Sequence, residues 1–168
     1  KMAKLSLGDR IDPILSEHHH EDEHVEGADP HYWVSPSAAL IMAAEVKDLL
    51  VSLEPSSESK YDAGFSILAA RIEEIRDKAD SLFSDFKGRA FMIYHPNLAY
   101  LARDYGLKEI PIEYEGKEPP PSRLRDLIDL ARKEKLNTIL VQKEYDIKNA
   151  KAIADEIGAG IVVIDPLS

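Results

Sequence analysis

The residues best suited to chemistry stand at the front of this chain. Five of its six histidines fall between positions 18 and 31. Glu17-His18-His19-His20-Glu21-Asp22-Glu23-His24 interleaves imidazoles with carboxylates, and Asp29-Pro30-His31-Tyr32-Trp33 follows a few residues later. The sixth histidine, His95, stands alone after an apolar run. Neutral imidazole is the commonest protein ligand for zinc, and neighbouring carboxylates attract the cation and add oxygen donors. Two kinds of metal chemistry are therefore in view. A tract without fixed geometry, His18, His19, His20 and His24, captures metal weakly and exchanges it fast, whereas single histidines on ordered elements hold it tightly. The acidic interleaving of the tract, and its position before Asp-Pro-His, set it apart from an expression tag.

Composition narrows the chemistry. The 168 residues contain no cysteine, which removes disulfides and thiolate metal sites together and leaves His, Asp, Glu and water as ligands. A formal net charge of −10 favours cations and argues against nucleic acid, whose phosphates need a basic face. With 44% hydrophobic residues the chain can bury a real core, as one domain or two small lobes. No apolar run approaches the roughly 20 residues that span a bilayer, and Lys1-Met2-Ala3-Lys4-Leu5 leads into no signal-peptide core.

The elements that must position these residues follow from periodicity. Residues 1–30 show little of it and are expected to be mostly loop. Ser35-Pro36-Ser37 predicts a helix start, with the stripe Ala39, Leu40, Ala43, Val46, Leu50 behind it and an end near Leu53, before Glu54-Pro55. A second helix of about 27 residues is expected from Tyr61, Phe65, Leu68, Ile72, Ile75, Ala79, Leu82 and Phe86, which step by three or four. The period then changes. Ala90 to Tyr94, Glu109 to Ile112, Thr138 to Val141 and Ile161 to Ile164 read as strands. Helices alternate with them: one ended by Gly106, one capped by Ser122, and one ended by Gly158. That alternation predicts an α/β fold with a parallel sheet wrapped by helices.

In such a sheet ligands bind beyond the carboxyl ends of the strands. His95, the segment Gln142 to Glu144, and Asp165 each follow a strand end directly, so they are expected on one rim. Loop polar residues and helix caps occupy the same positions, and Asp165 before Pro166 also suits a turn. Spacing alone leaves those alternatives open.

The order Asp29-Pro30-His31-Tyr32-Trp33-Val34-Ser35-Pro36, then a long helix, then Tyr94-His95, then Ile164-Asp165-Pro166-Leu167 resembles the metal-binding receptors of ATP-driven zinc and manganese importers, the cluster A-I solute-binding proteins. The likeness runs from about residue 10 to the end. It implies His31, His95 and Asp165 as metal ligands and the His/acid tract as the accessory loop of the zinc-specific branch. It also implies two α/β lobes joined by a long helix with metal held in the cleft: residues 1–54 as the tail of the first lobe, 55–86 as the linking helix, and 87–168 as the second lobe. The family's fourth ligand is a further histidine upstream, and a helix follows its last strand. This chain is accordingly expected to be truncated at both ends, with one coordination position left to water or another donor. Where relatives often carry glutamate this chain reads Val141-Gln142-Lys143-Glu144, so Gln142, or failing it Glu144, is expected to orient a ligand imidazole.

The resemblance implies capture rather than catalysis: zinc, or alternatively manganese or ferrous iron, bound outside the cytoplasmic membrane and delivered to an ABC-type permease. The rival class is a zinc hydrolase with three protein ligands and a water. It lacks a His-Glu-x-x-His helix, and Glu144 and Glu113 are its candidate bases.

Overall fold

The computed structural model describes residues 4–16, 27–114 and 116–166. It forms two compact units, Lys1–Asp85 and Phe86–Ser168. The tract His18, His19, His20 and His24 lies outside the described residues.

In the first unit, β1 (Leu15–Ser16) and β2 (Gly27–Ala28) pair antiparallel, a short ladder within the stretch expected to be mostly loop. A two-residue strand has no room for the alternation that would reveal it. The ladder continues through Asp29, whose N–H donates to the Ile14 carbonyl at 2.8 Å. Helix α1 (Pro36–Leu53) begins as predicted: Pro36 occupies the first turn, where it sacrifices no helical hydrogen bond, and Ser35 Oγ accepts from the Ala38 N–H at 3.1 Å. Helix α2 (Glu58–Phe83) packs along α1, with Ile72 buried. Its regular turn stops at Phe83, and Ser84–Phe86 tighten into a single 3-10 turn. Much of the stripe that predicts α2, including Leu68, Ile75 and Leu82, is exposed.

The second unit is a four-stranded parallel sheet in the order β4-β3-β5-β6, built from β3 (Ala90–Ile93), β4 (Lys108–Pro111), β5 (Thr138–Gln142) and β6 (Gly160–Ile164). Helices α3 (Ala99–Asp104), α4 (Pro121–Lys133) and α5 (Lys148–Ile157) make the crossovers. The core is the layer between sheet and helices. Met92, Tyr94, Ile110, Ile112, Ile139 and Val141 meet Leu127 and Ala131 of α4 and Ala150, Ile153 and Ala154 of α5. Each fully buried aliphatic side chain there contributes roughly 1.5–3 kcal/mol. Gly158 closes α5 at φ +70°, a left-handed turn that side chains resist, and so accounts for the predicted stop. The start of α4 differs from expectation. Pro120, extended at ψ 159°, takes the cap position ahead of Pro121, and Ser122 falls inside the first turn.

Strand order locates the rim. From β3 the chain first goes outward to β4 and then returns across to β5 and β6. Between β3 and β5 the winding reverses, the place where the carboxyl ends of a parallel sheet open a crevice.

Candidate metal centre

His31 is set by its own neighbours. Asp29 Oδ1 accepts from the His31 backbone N–H at 2.8 Å and pairs with its Nδ1 at 2.7 Å, so one carboxylate fixes both turn and ring. Asp29 itself is buried. Tyr32–Val34 then make one 3-10 turn, which brings Trp33 edge-on to the imidazole, ring centroids 5.4 Å apart at 64°. Ser35 and Pro36 start α1 directly behind. The spacing Asp-Pro-His-x-Trp-x-x-Pro thus encodes a clamp, a histidine, an aromatic support and a helix start.

His95 is set from a distance. It is the second residue beyond β3, and the registers Ile93↔Pro111, Ile93↔Leu140 and Gln142↔Ile164 continue outward to align Glu113, His95, Gln142 and Ile164 on one rung. The Tyr94 and Glu113 backbone N–H groups still donate to the Leu140 and Tyr94 carbonyls, both at 2.9 Å, so the ladder runs past the regular strands. Glu113 Oε2 meets His95 Nδ1 at 2.7 Å, with the glutamate side chain only 9% exposed. Gln142 performs a different task from the one expected of it. Its Oε1 accepts from the His95 N–H at 3.2 Å, and its Nε2 donates to the His95 carbonyl at 2.7 Å and to Asn97 Oδ1 at 2.9 Å. It holds backbone, while Glu113 holds the ring and Glu144 lies exposed on the following turn. Tyr145 stacks on the imidazole at 5.3 Å and 17°; burial, then Glu113 and Glu144, push its phenol pKa up.

A carboxylate offers only acceptors, so in both pairs the Nδ1 carries the hydrogen, and in the neutral ring the lone pair is then at Nε2. That tautomer is the one a metal binds through Nε2.

Asp165 follows β6 directly, on the same edge as His95 and two strand spacings, roughly 10 Å, across the sheet. Its carboxylate pairs closely with Lys143 Nζ, and that contact raises the Lys143 pKa further. His31 belongs to the first unit, His95, Gln142, Glu144 and Asp165 to the second. Among the described residues no three His, Asp or Glu side chains are gathered into a ready cage. An apolar groove of about 600 Å3 along α1 and α2, walled by Trp33, Met42, Leu50, Phe65 and Leu68, offers neither imidazole nor carboxylate and does not suit a metal.

Sequence reasoning missed Asp29 and Lys143, and it weighed Glu113 only as a base. The first had a signal, since an aspartate two residues before another polar residue commonly bonds forward to its backbone. The other two need strand order and register.

Comparison with known proteins identifies the family of this chain. The profile of the family described as zinc-uptake complex component A, periplasmic (ZnuA) matches residues 1–168. The zinc-binding protein AdcA of Streptococcus pyogenes serotype M3 is 28% identical over 151 residues, 89% of this chain but 29% of AdcA. Among solved structures, ZnuA superposes with a TM-score of 0.86 at 34% identity, over 97% of this chain and 62% of that one. A mutant manganese-bound periplasmic metal-binding protein from Candidatus Liberibacter asiaticus superposes with a TM-score of 0.75 at 29% identity, over 97% of this chain and 62% of that one. The chain thus spans less than two thirds of these relatives, and it belongs to the ZnuA family of zinc-uptake components.

Proposed function

We propose that this chain captures a divalent transition metal, zinc in preference to manganese, outside the cytoplasmic membrane and delivers it to the permease of an ABC-type importer. His31 and His95 are the proposed ligands through Nε2, and Asp165 through its carboxylate; water or a further donor completes the tetrahedron. The observation that carries this reading is the construction shared by the two histidines, each pinned at Nδ1 by a largely buried carboxylate at 2.7 Å. Metal-ligating imidazoles are usually held in this way, because the pinned ring is both oriented and made more basic. Family membership supports the same reading, and AdcA is itself described as zinc-binding.

Two imidazoles and one carboxylate suit zinc, although the intrinsic affinity order favours zinc over manganese at almost any such site. Protons compete with the metal for Nε2, so affinity falls as pH is lowered. Turnover is not expected: Glu113, one candidate base, is committed to His95, and Glu144 lies on an exposed turn.

Isothermal titration of zinc and of manganese tests the proposal. The chain should take up one equivalent tightly, His31→Ala/His95→Ala should lose that phase, and deletion of residues 17–24 should keep it. A double variant that binds as tightly as the parent would show that the metal is held elsewhere, with the His/acid tract as the first suspect.

A further inference from the structure

Lys143 is the first residue beyond β5, and Asp165 the first beyond β6. The two strands are parallel, and their register ends with Gln142 opposite Ile164, so the next step sets Lys143 opposite Asp165. The Lys143 backbone N–H donates to the Ile164 carbonyl at 3.1 Å, which keeps the ladder closed up to that point. The ammonium then closes on Asp165 Oδ2 as a hydrogen-bonded ion pair. The asymmetry of the pair is informative. The aspartate side chain is 21% exposed and the lysine side chain 59%, so a half-buried carboxylate is covered from the solvent side by a tethered cation.

We propose that Lys143 is an internal competitor for the metal: its ammonium occupies the Asp165 carboxylate when the metal is absent, is displaced when the metal binds, and returns as the metal leaves. This rests on the assignment of Asp165 as a ligand. A metal and an ammonium both seek the carboxylate oxygens, and Lys has a long, flexible stem with which to withdraw into water. Displacement costs the free energy of the ion pair, which lowers affinity; re-formation of the pair assists dissociation. A receptor that must surrender its cargo gains from both effects. An exposed pair contributes only modestly, so the penalty on affinity should be about two- to five-fold.

The test is competitive zinc titration against a chromophoric chelator, with dissociation followed by stopped flow, on the 168-residue chain and on Lys143→Met, Lys143→Arg, Asp165→Asn and Lys143→Met/Asp165→Asn. Lys143→Met should bind zinc about two- to five-fold more tightly and release it more slowly, while Lys143→Arg should stay near the parent. In the Asp165→Asn background Lys143→Met should bring no gain, because the competition acts through that carboxylate. An unchanged or weakened Lys143→Met affinity overturns the competitor role, as does a gain that persists without Asp165, which would be long-range repulsion. If Asp165→Asn alone leaves zinc affinity untouched, the ligand assignment fails, and the competitor role fails with it.

Discussion

The turn that carries His31 and the sheet edge that carries His95 present the same chemical unit by opposite means. Each imidazole meets a carboxylate at Nδ1 over 2.7 Å. At His31 one residue, two positions earlier, holds both backbone and ring. At His95 the labour is divided between Glu113, 18 residues away, for the ring, and Gln142, 47 residues away, for the backbone. Local construction makes the first device a motif. Tertiary construction makes the second a property of strand order, and lets ring and backbone be perturbed separately.

That contrast can be broken most forcefully at the imidazoles. His31→Ala and His95→Ala should each reduce zinc affinity by more than the roughly 100-fold that loss of a supporting partner can cost, read by chelator competition. Next comes Asp29→Ala, which removes two bonds at once. It should weaken zinc binding toward the upper end of about 10- to 100-fold, whereas Glu113→Ala, which leaves Gln142 in place, should sit toward the lower end. Equal effects would mean that the backbone clamp contributes nothing to the ligand. Gln142→Leu should show its effect chiefly in folding. It strands the His95 N–H and carbonyl beside a buried edge, and thermal unfolding should register a loss of about 1–3 kcal/mol. Smallest is Ser35→Ala behind His31, which removes the α1 cap and should cost about 1 kcal/mol with little change in zinc affinity.

The same contrast explains what could be read from the sequence. The α/β class, the start of α1, the stop at Gly158 and the rim carrying His95 and Asp165 follow from periodicity, caps and alternation, all of which are local signals. The Asp29 clamp was equally local and lay within reach. Glu113 was not, because the sequence does not say that β4 sits beside β3 while the chain returns across the sheet to β5; only that order, with its register, puts Glu113 and His95 on one rung. Gln142 illustrates the same limit. Its position at a strand end marked it as important, yet whether its amide would meet ring or backbone depended on how far the neighbouring strand ran past its last regular residue. Lys143 escaped notice because lysine on a loop ordinarily signals solubility, and only the β5–β6 register reveals that it faces Asp165. The pairing of β1 with β2 was invisible for a simpler reason, since two residues carry no period.

In the proposed site His31 and His95 bind metal through Nε2 while their carboxylates keep the Nδ1 hydrogen. Long-range proton–nitrogen NMR of the imidazoles during zinc titration tests it most directly. Both rings should show the Nδ1–H tautomer before zinc is added, and their Nε2 resonances should shift together, complete at one equivalent. Nε2 signals that stay in place while zinc is taken up, or a metal-induced shift at Nδ1, would contradict it.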